Sequence, residues 1–162
     1  MITAKTYDFR RVTRDDVAML CQWQARPHVR AWWGSTDPYT DKAINDPRVS
    51  RFIVSSQDHP FAFMQDYTVH GWDDHHFASL PNGARGIDQY IAEPDMVGVG
   101  HGTAFIGARV QALFDSGAPV IATDPHPDNH RAIAVYTKLG FRPAGPPQET
   151  KWGLILPMLA AR

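Results

Sequence analysis

The organising segment of this chain opens with Arg85-Gly86-Ile87-Asp88-Gln89-Tyr90-Ile91 and continues, after a short turn, with Gly98-Val99-Gly100-His101-Gly102-Thr103. It ends at Phe141. Its apolar spacing predicts a strand, a phosphate-cradling turn, a helix, a second strand and a second helix. A unit of this kind can hold a nucleotide-bearing cofactor between two splayed strands.

Three alternating glycines, Gly98, Gly100 and Gly102, stand just before the apolar pattern of a helix. Glycine permits positive φ and lets backbone N–H groups come close to a ligand. The first helical turn adds free N–H donors and a positive dipole end, which suits a phosphate. An ordinary tight turn is the alternative interpretation. A Rossmann site is disfavoured, because no acidic residue closes a following strand at the expected spacing and a Walker lysine is absent.

The second half of the segment carries the signals of a capped helix. Asn129 is a residue type that caps helix N-termini, and Gly140 stands where a glycine commonly ends a helix. The apolar interior between them is formed by Ala132, Ile133, Val135, Tyr136 and Leu139.

The two motifs together resemble the GNAT acetyltransferase superfamily. The family's acetyl-coenzyme A turn has Arg or Gln, two residues, Gly, one residue, then Gly or Ala. It falls on Val97 to Gly102, with Val97 in place of the polar first residue. The motif Asn-x-x-Ala-x-x-x-Tyr-x-x-x-Gly-Phe matches from Asn129 to Phe141 without a gap. The resemblance implies an α/β GNAT fold, in which helices flank a mixed, mostly antiparallel sheet with a splayed central strand pair.

A narrower resemblance covers most of the chain, from about residue 8 to about residue 145. Arg26-Pro27-His28-Val29 with Trp32-Trp33-Gly34, Arg85 to Gln89, and Thr123-Asp124-Pro125 are similar to segments of the aminoglycoside 6'-N-acetyltransferases. This similarity implies transfer of acetyl from acetyl-coenzyme A to the 6'-amine of an aminoglycoside, by direct attack in a ternary complex.

The resemblance also implies where the co-substrate acetyl-coenzyme A binds. A backbone N–H near Ile91 is expected to polarise the thioester carbonyl, and the same strand edge is expected to pair with the pantetheine amides. Further contacts are expected from Val97, Gly98, Gly100, Gly102, Thr103, Asn129 and Ala132. Val97, Val99 and His101 leave the turn without its usual basic side chains, which predicts weaker coenzyme affinity.

Acetyl transfer to an amine needs an acid for the leaving thiolate and a carboxylate for the acceptor ammonium. Tyr136 is the candidate acid, because a phenol can give up a proton without carrying charge beforehand; a space-filling tyrosine is the alternative. Asp88, on the central strand, is the first candidate to orient the ammonium and take its proton. Asp124 is the second, and a turn cap before Pro125 is its alternative role.

Acceptor contacts are assigned by the same resemblance. Carboxylates at Asp73, Asp88 and Asp124 are expected to hold the aminoglycoside, with Asp74 as the alternative to Asp73 across a variable loop. Trp32 and Trp33 point to different sides, so one core cannot easily bury both. One of them is expected either to line the acceptor pocket, where Trp32 is our candidate, or to plug the space between helices.

Composition and charge limit the partners. The chain has 162 residues and a net charge of −1, which predicts one domain, residues 1–162, without broad attraction to nucleic acid or membranes. A small cationic amine is the expected partner, because six acids stand between Asp66 and Asp95 against Arg85 alone. Asp66 and Asp95 themselves are expected in a solvated loop. The oligomeric state is left open between monomer and homodimer.

The cysteine and the paired histidines bear on disulfide formation, cellular location and metal binding. Cys21 is the sole cysteine, so no internal disulfide is possible and a cytoplasmic location is expected, with no signal-peptide pattern visible. Cys21 is predicted to lie with Leu20 on the apolar face of a helix that Pro27 ends. His75-His76 lacks a supporting cysteine or i+4 histidine, so no metal is expected.

The flanking segments predict ordinary elements. Residues 6–12 suggest an edge strand, and residues 36–48 a loop with one helical turn. Two strands around a turn at Asp58-His59-Pro60 predict a hairpin. Residues 70–83 suggest a substrate-facing loop, and Trp152–Leu156 a last strand.

Other functions remain open at the level of sequence. The Trp32-Trp33 region and Asp124-Pro125 also resemble siderophore-pathway acyltransferases that act on hydroxylated lysine. A protein acetyltransferase would need an open peptide groove, and the acidic loop argues against this class. A non-catalytic acyl-coenzyme A sensor is a different class, and an intact Tyr136 argues against it.

Overall fold

A computed structural model describes residues 6–33 and 39–162 of the chain. Gly34 and residues 36–38, which belong to the predicted tryptophan motif and loop, lie outside the described residues. The predicted helical turn in that loop is present as a short helix at Asp41–Ile44.

The described residues form nine β-strands and five α-helices, joined by loops and by short 3-10 turns. The strands are β1 (Tyr7–Arg11), β2 (Val49–Ser56), β3 (His59–Thr68), β4 (Arg85–Ile91), β5 (Val120–Thr123), β6 (Arg142–Pro143), β7 (Gln148–Thr150), β8 (Gly153–Ile155) and β9 (Met158–Ala161). The helices are α1 (Val17–Ala25), α2 (Pro27–Trp33), α3 (Asp41–Ile44), α4 (His101–Asp115) and α5 (His130–Lys138).

Seven strands form one sheet in the order β1-β2-β3-β4-β5-β9-β6, and β7 and β8 form a separate hairpin. The pairs β1–β2, β5–β9 and β6–β9 are antiparallel, whereas β4 and β5 are parallel. The parallel register joins only Arg85 to Ile121 and Gly86 to Ala122, although β4 runs on to Ile91. The predicted α/β class, with a mixed, mostly antiparallel sheet, is confirmed.

The chain forms two compact units, and each is described by itself. The first unit comprises Met1–Gln65 and Gln89–Phe105. Its helix α1 buries Leu20 and Trp23, three residues apart and therefore on one helical face. These side chains belong to a core cluster formed by Val12, Leu20, Trp23, Ile53, Phe63 and Ala92. Whether the chain acts as one domain stays a prediction.

The second unit comprises Asp66–Asp88 and Ile106–Arg162. Every residue of β5 is buried, and α4 buries Ile106, Val110 and Leu113. Asp66 corrects an expectation: the sequence suggested a solvated carboxylate, but Asp66 is fully buried. It accepts hydrogen bonds from Arg85 at 2.6 Å and Arg109 at 2.8 Å, and these two cations compensate the cost of burying its charge.

Three further expectations differ from the structure. Cys21 is exposed, because it follows Leu20 by one residue and so points about 100° away from the buried face. The hairpin turn lies at Gln57-Asp58, whose φ angles of 50° and 63° are left-handed, and β3 begins at His59. Trp152–Leu156 is not the last strand, because β9 follows it and pairs with β5 and β6. β9 lacks the β-branched and aromatic residues that mark strands.

Among the described residues, no helix is both long and apolar enough to cross a bilayer.

Candidate active site

The glycine turn precedes α4 with the geometry that an anion site needs. Gly98 and Gly100 have φ angles of 77° and 95°, which other residues adopt only with strain. α4 begins at His101, and the N–H groups of its first turn lie outside the intrahelical ladder. Gly100 is exposed, so a phosphate can reach this helix end. The residues present therefore fit the pyrophosphate of a coenzyme.

His101, the first residue of α4, is held by the first strand. Nδ1 of His101 lies 2.9 Å from the hydroxyl of Tyr7. Gly102 follows, and a methyl group there would stand 3.7 Å from the Ile91 side chain, which is ordinary contact. The structure thus places the predicted residues Ile91 and Gly102 beside each other. Gly98 and Gly100 are exposed, whereas Val97 before them and Thr103 after them are half-buried.

The motif Arg26-Pro27-His28 fixes the end of β4. Arg26 donates hydrogen bonds to the carbonyl of Ala92 at 2.7 Å and to the carboxylate of Glu93 at 2.8 Å. Nε2 of His28 lies 3.0 Å from the carbonyl oxygen of Ile91, to which it can donate. The motif therefore positions the backbone segment to which we assign the thioester contact.

The two adjacent tryptophans separate as expected. Trp33 packs edge-on against Tyr90 and Phe63, with ring centroids 4.8 and 5.5 Å apart, and so fills space in the first unit. Trp32 is 50% exposed. Trp33 is therefore the residue that fills space, whereas half of the Trp32 surface is open to solvent.

Helix α5 carries the candidate acid, Tyr136, between the predicted N-terminal cap and the predicted C-terminal glycine. The side-chain oxygen of Asn129 accepts a hydrogen bond from the N–H of Ala132 at 3.3 Å, which confirms the cap. At the other end, Gly140 has a φ of 95°. The N–H of Phe141 bonds to the carbonyl of Tyr136 at 3.0 Å, so the glycine stop acts directly on the backbone of the candidate acid. Tyr136 is buried, and its ring packs on Phe141.

Tyr67 is a buried phenol whose ring packs on Gly86 of β4, where a Cβ would lie 2.1 Å from its Cζ. Burial raises the pKa of Tyr67 well above its usual value, and the carboxylates of Asp88 and Asp124 raise it further. The hydroxyl of Tyr67 therefore remains protonated at neutral pH. Gly86 of β4 pairs with Ala122 of β5, so Asp88 and Asp124 each lie two residues beyond one paired position on neighbouring strands.

Asp124 leaves the end of β5 and is paired with a histidine. Nε2 of His76 lies 2.8 Å from its Oδ2. The two side chains are 8% and 17% exposed, respectively. Oδ2 of Asp124 therefore bonds to His76 and does not cap the turn before Pro125. This histidine was noted in the sequence only as a weak metal candidate.

His75 and Trp152 complete the surroundings of His76. His75 stacks on His76, and its Nδ1 accepts a hydrogen bond from the N–H of Phe77 at 3.1 Å. Burial lowers the pKa of His75 to about 4, with the neighbouring His76 as a second cause. Trp152 is 58% exposed, and its ring centroid is 5.3 Å from that of His75. No group of three or more His, Cys, Asp or Glu side chains in the described ranges is arranged to hold a metal ion.

The two loop carboxylates differ in their partners. Asp74 is exposed and lies 3.4 Å from the ammonium of Lys151, which offsets part of its charge. Asp73 is also exposed. An acceptor contact by either residue stays a prediction.

Sequence reasoning missed Tyr67, His76 and Trp152. Tyr67 could be placed on a strand, but its neighbours come from distant positions. The doubled histidine beside Asp73 and Asp74 was a usable signal, because a polar aromatic pair in an acidic loop can orient carboxylates. Trp152 gave no such signal, since it belongs to a hairpin that the sequence predicted only in part.

These features are those of an acyl-coenzyme A-dependent transferase, and the comparison with known families agrees. The model of the acetyltransferase (GNAT) domain matches residues 12–148, and the chain belongs to this family.

The similarity extends to particular enzymes. Aminoglycoside N(6')-acetyltransferase type 1 of Klebsiella pneumoniae is 34% identical over 148 residues, which cover 84% of this chain and 74% of that protein. The structure of AAC(6')-Ib in complex with paromomycin and acetyl-coenzyme A superposes with a TM-score of 0.87 at 32% identity, covering 97% of this chain and 94% of that one. Its complex with coenzyme A and kanamycin gives 0.86 at 32% identity, covering 97% and 95%. The predicted GNAT fold and the predicted resemblance are confirmed.

Proposed function

We propose that this enzyme transfers the acetyl group of acetyl-coenzyme A to the 6'-amine of an aminoglycoside. The observation that carries the proposal is the parallel pairing of β4 with β5, which sets the carboxylates of Asp88 and Asp124 at the same end of two neighbouring strands. Two carboxylates suit a polycationic acceptor, and a phenol suits a leaving thiolate. The similarity to enzymes that act on aminoglycosides supports the choice of acceptor.

The carboxylates act on the acceptor amine. An ammonium group cannot attack a carbonyl until it has lost a proton, so the enzyme must both orient it and receive that proton. Asp88 on β4 and Asp124 after β5 are both half-buried, where a carboxylate attracts a cation more strongly than in open water. We assign proton acceptance to Asp88, directly or through water, and ammonium binding to Asp124 together with Asp73 or Asp74.

Tyr136 acts on the leaving group. Its hydroxyl donates a proton to the departing sulfur, and the second proton of the acceptor nitrogen, released as the amide forms, reprotonates the Tyr136 oxygen directly or through water, so no net charge accumulates. The Phe141–Tyr136 backbone bond and the ring contact with Phe141 hold the side chain in place. A fixed donor has less conformational entropy to lose as the reaction proceeds.

The co-substrate supplies an acetyl group as a thioester when it is bound. The glycine turn from Val97 to Thr103 would hold its pyrophosphate through backbone N–H groups, and Ile91 would contact the acyl end. Asn129 and Ala132 at the start of α5 would contact the pantetheine arm. Trp32 offers an exposed aromatic face to a sugar ring. We expect the enzyme to act in the cytoplasm as a monomer or homodimer.

Coenzyme A release with a panel of amines tests the proposal. The panel contains kanamycin, tobramycin, hydroxylysine and a lysine peptide. We expect turnover on both aminoglycosides and at least a tenfold lower kcat in Tyr136→Phe and Asp88→Asn, since positioned proton transfer contributes about 100-fold or more. Product analysis by mass spectrometry and NMR assigns the acetylated amine.

Asp58→Asn is the matched control, because Asp58 is an exposed turn residue whose left-handed φ asparagine also tolerates. It should retain the wild-type rate. Turnover on hydroxylysine alone would keep the reaction but replace the acceptor by that of a siderophore pathway. Coenzyme binding without turnover on any amine would contradict the proposed activity.

A further inference from the structure

His76 is fixed against Asp124 by a contact between residues 48 positions apart in the chain. Its Nε2 lies 2.8 Å from Oδ2 of the carboxylate, a short distance for an N–H···O bond. The imidazole is 8% exposed, so water competes little for this bond. One of the two oxygens of Asp124 is thereby engaged.

Aromatic rings hold the imidazole of His76 in one orientation. Its centroid lies 4.3 Å from that of His75 in a stacked arrangement and 4.4 Å from that of Phe77. Trp152 approaches edge-on at 5.6 Å. A ring packed on several sides cannot turn without displacing its neighbours, so Nε2 stays directed at the carboxylate.

The contact with Asp124 identifies Nε2 as the donor atom of His76. An ionised carboxylate only accepts hydrogen bonds, so Nε2 carries the hydrogen and donates it to Oδ2. Nδ1 is buried and has no hydrogen-bond partner among residues 6–33 and 39–162. The bond from Nε2 to Oδ2 is therefore the side-chain hydrogen bond through which His76 can act.

We propose that His76 is a positioning residue for the acceptor: it holds Oδ2 of Asp124 and so presents Oδ1 to the acceptor ammonium. The inference rests on the proposed function, in which Asp124 binds that ammonium.

Steady-state kinetics on His76→Phe test this role, because phenylalanine keeps the ring stack and removes the donor. We expect KM for kanamycin to rise about tenfold, the low end for a lost hydrogen bond to a charged group. KM for acetyl-coenzyme A should stay within about twofold of the wild-type value. Loss of folded protein would lower the maximal rate and leave both KM values unchanged, so a rise in the KM for kanamycin alone reports on the acceptor site. His76→Asn, whose side chain is too short to reach Oδ2, gives the same test if the phenylalanine variant does not fold.

Two further variants separate positioning from structure. His76→Gln carries an N–H donor at about the reach of Nε2 and should restore KM to within about threefold of the wild-type value. His75→Phe removes the neighbouring imidazole, which makes no bond to Asp124, and should leave KM for kanamycin unchanged. In an Asp124→Asn background, His76→Phe should have no further effect, because its action passes through the carboxylate.

The outcomes distinguish the inference from the function on which it rests. An active wild-type enzyme with the same kanamycin KM in His76→Phe would overturn the positioning role and leave the acetyltransferase intact. A raised KM that glutamine does not restore would also overturn it, because the ring and not the donor would then matter. A wild-type enzyme that acetylates no aminoglycoside would remove the proposed function and this inference together.

Discussion

At the scale of single residues, Gly86 is a position that has no room for a side chain. A Cβ atom there would lie 2.1 Å from Cζ and 2.4 Å from the hydroxyl oxygen of Tyr67. Tyr67 is 6% exposed and belongs to the core of the second unit, so its ring cannot move aside cheaply. The glycine of the Arg85–Gln89 motif is therefore required by packing.

Gly86→Ala should lower the free energy of unfolding by about 2–3 kcal/mol through overpacking. Urea denaturation measures the change. Gly145→Ala is the control, because a Cβ at Gly145 meets nothing within 4 Å, and it should be nearly neutral. Equal effects of the two substitutions would show that the Tyr67 contact does not limit position 86.

His75 predicts an acid-sensitive contribution to stability. Its pKa is near 6.5 in the unfolded chain and is lowered to about 4 by burial. Between these values the unfolded chain binds the proton and the folded chain does not. The contribution of His75 to the free energy of unfolding is therefore fully present above pH 6.5 and is lost as the pH drops towards 4. At pH 5 the loss from this residue is about 2 kcal/mol.

Denaturation of the wild-type protein and His75→Phe at pH 7.5 and pH 5 measures that contribution. Other groups titrate in both proteins, so the difference between the two pH-dependent losses isolates His75. We expect the wild-type protein to lose about 2 kcal/mol more than the variant. Equal losses would mean that His75 titrates at its ordinary pKa in the folded state.

At the scale of elements, the end of α5 is set by one glycine. Gly140 is in the left-handed region, its N–H bonds to Thr137 at 3.1 Å, and the N–H of Phe141 bonds to Tyr136 at 3.0 Å. A Cβ atom destabilises this conformation by about 1–2 kcal/mol, and the destabilisation is smaller for asparagine than for alanine. One of the backbone bonds that end α5 is therefore accepted by the carbonyl of Tyr136, the candidate acid.

Gly140→Ala should reduce the free energy of unfolding by about 1 kcal/mol, and Gly140→Asn by less. Nothing lies within 4 Å of a Cβ at this position, so packing does not add to the strain. Thermal denaturation of the three proteins gives the order glycine, asparagine, alanine. An alanine variant as stable as the asparagine variant would contradict the backbone explanation.

Elements with local signals were predictable, and elements with distant partners were not. Asn129, Gly140 and the glycine turn act within a few residues of themselves, so the ends of α4 and α5 follow from the sequence. β9 has no such signal, since its place depends on β5 and β6, and its residues are poor strand formers. Pro157 separates it from the predicted last strand.

At the scale of the whole molecule, ligand binding should appear as stability. A coenzyme that binds only the folded chain stabilises it by about 2.7 kcal/mol at 100 times its Kd. For a chain of this size the melting temperature should rise by about 5–10 °C. Differential scanning fluorimetry with coenzyme A measures the shift, and NAD at the same concentration is the control. No shift at saturating coenzyme A would contradict the assignment of the turn from Val97 to Thr103.

The same distinction between near and distant contacts explains the errors of sequence reasoning at this scale. Charge counting placed Asp66 in solvent because its cations stand 19 and 43 positions away, at Arg85 and Arg109. His76 is likewise 48 positions from Asp124. Family motifs identified the fold and led to the predictions of the coenzyme turn and the acid. The contacts of Asp66 and Asp124 depend on tertiary structure and lie outside those motifs.

The exposed position of Cys21 has a practical consequence for measuring the reaction. Coenzyme A is itself a thiol, and reagents that report its release also react with accessible protein thiols. Because Cys21 is the sole cysteine and lies exposed on α1, each enzyme molecule adds one equivalent of background signal, which Cys21→Ser would remove. The same thiol is a unique attachment point for a fluorophore, so labelling at one defined position needs no prior removal of other cysteines.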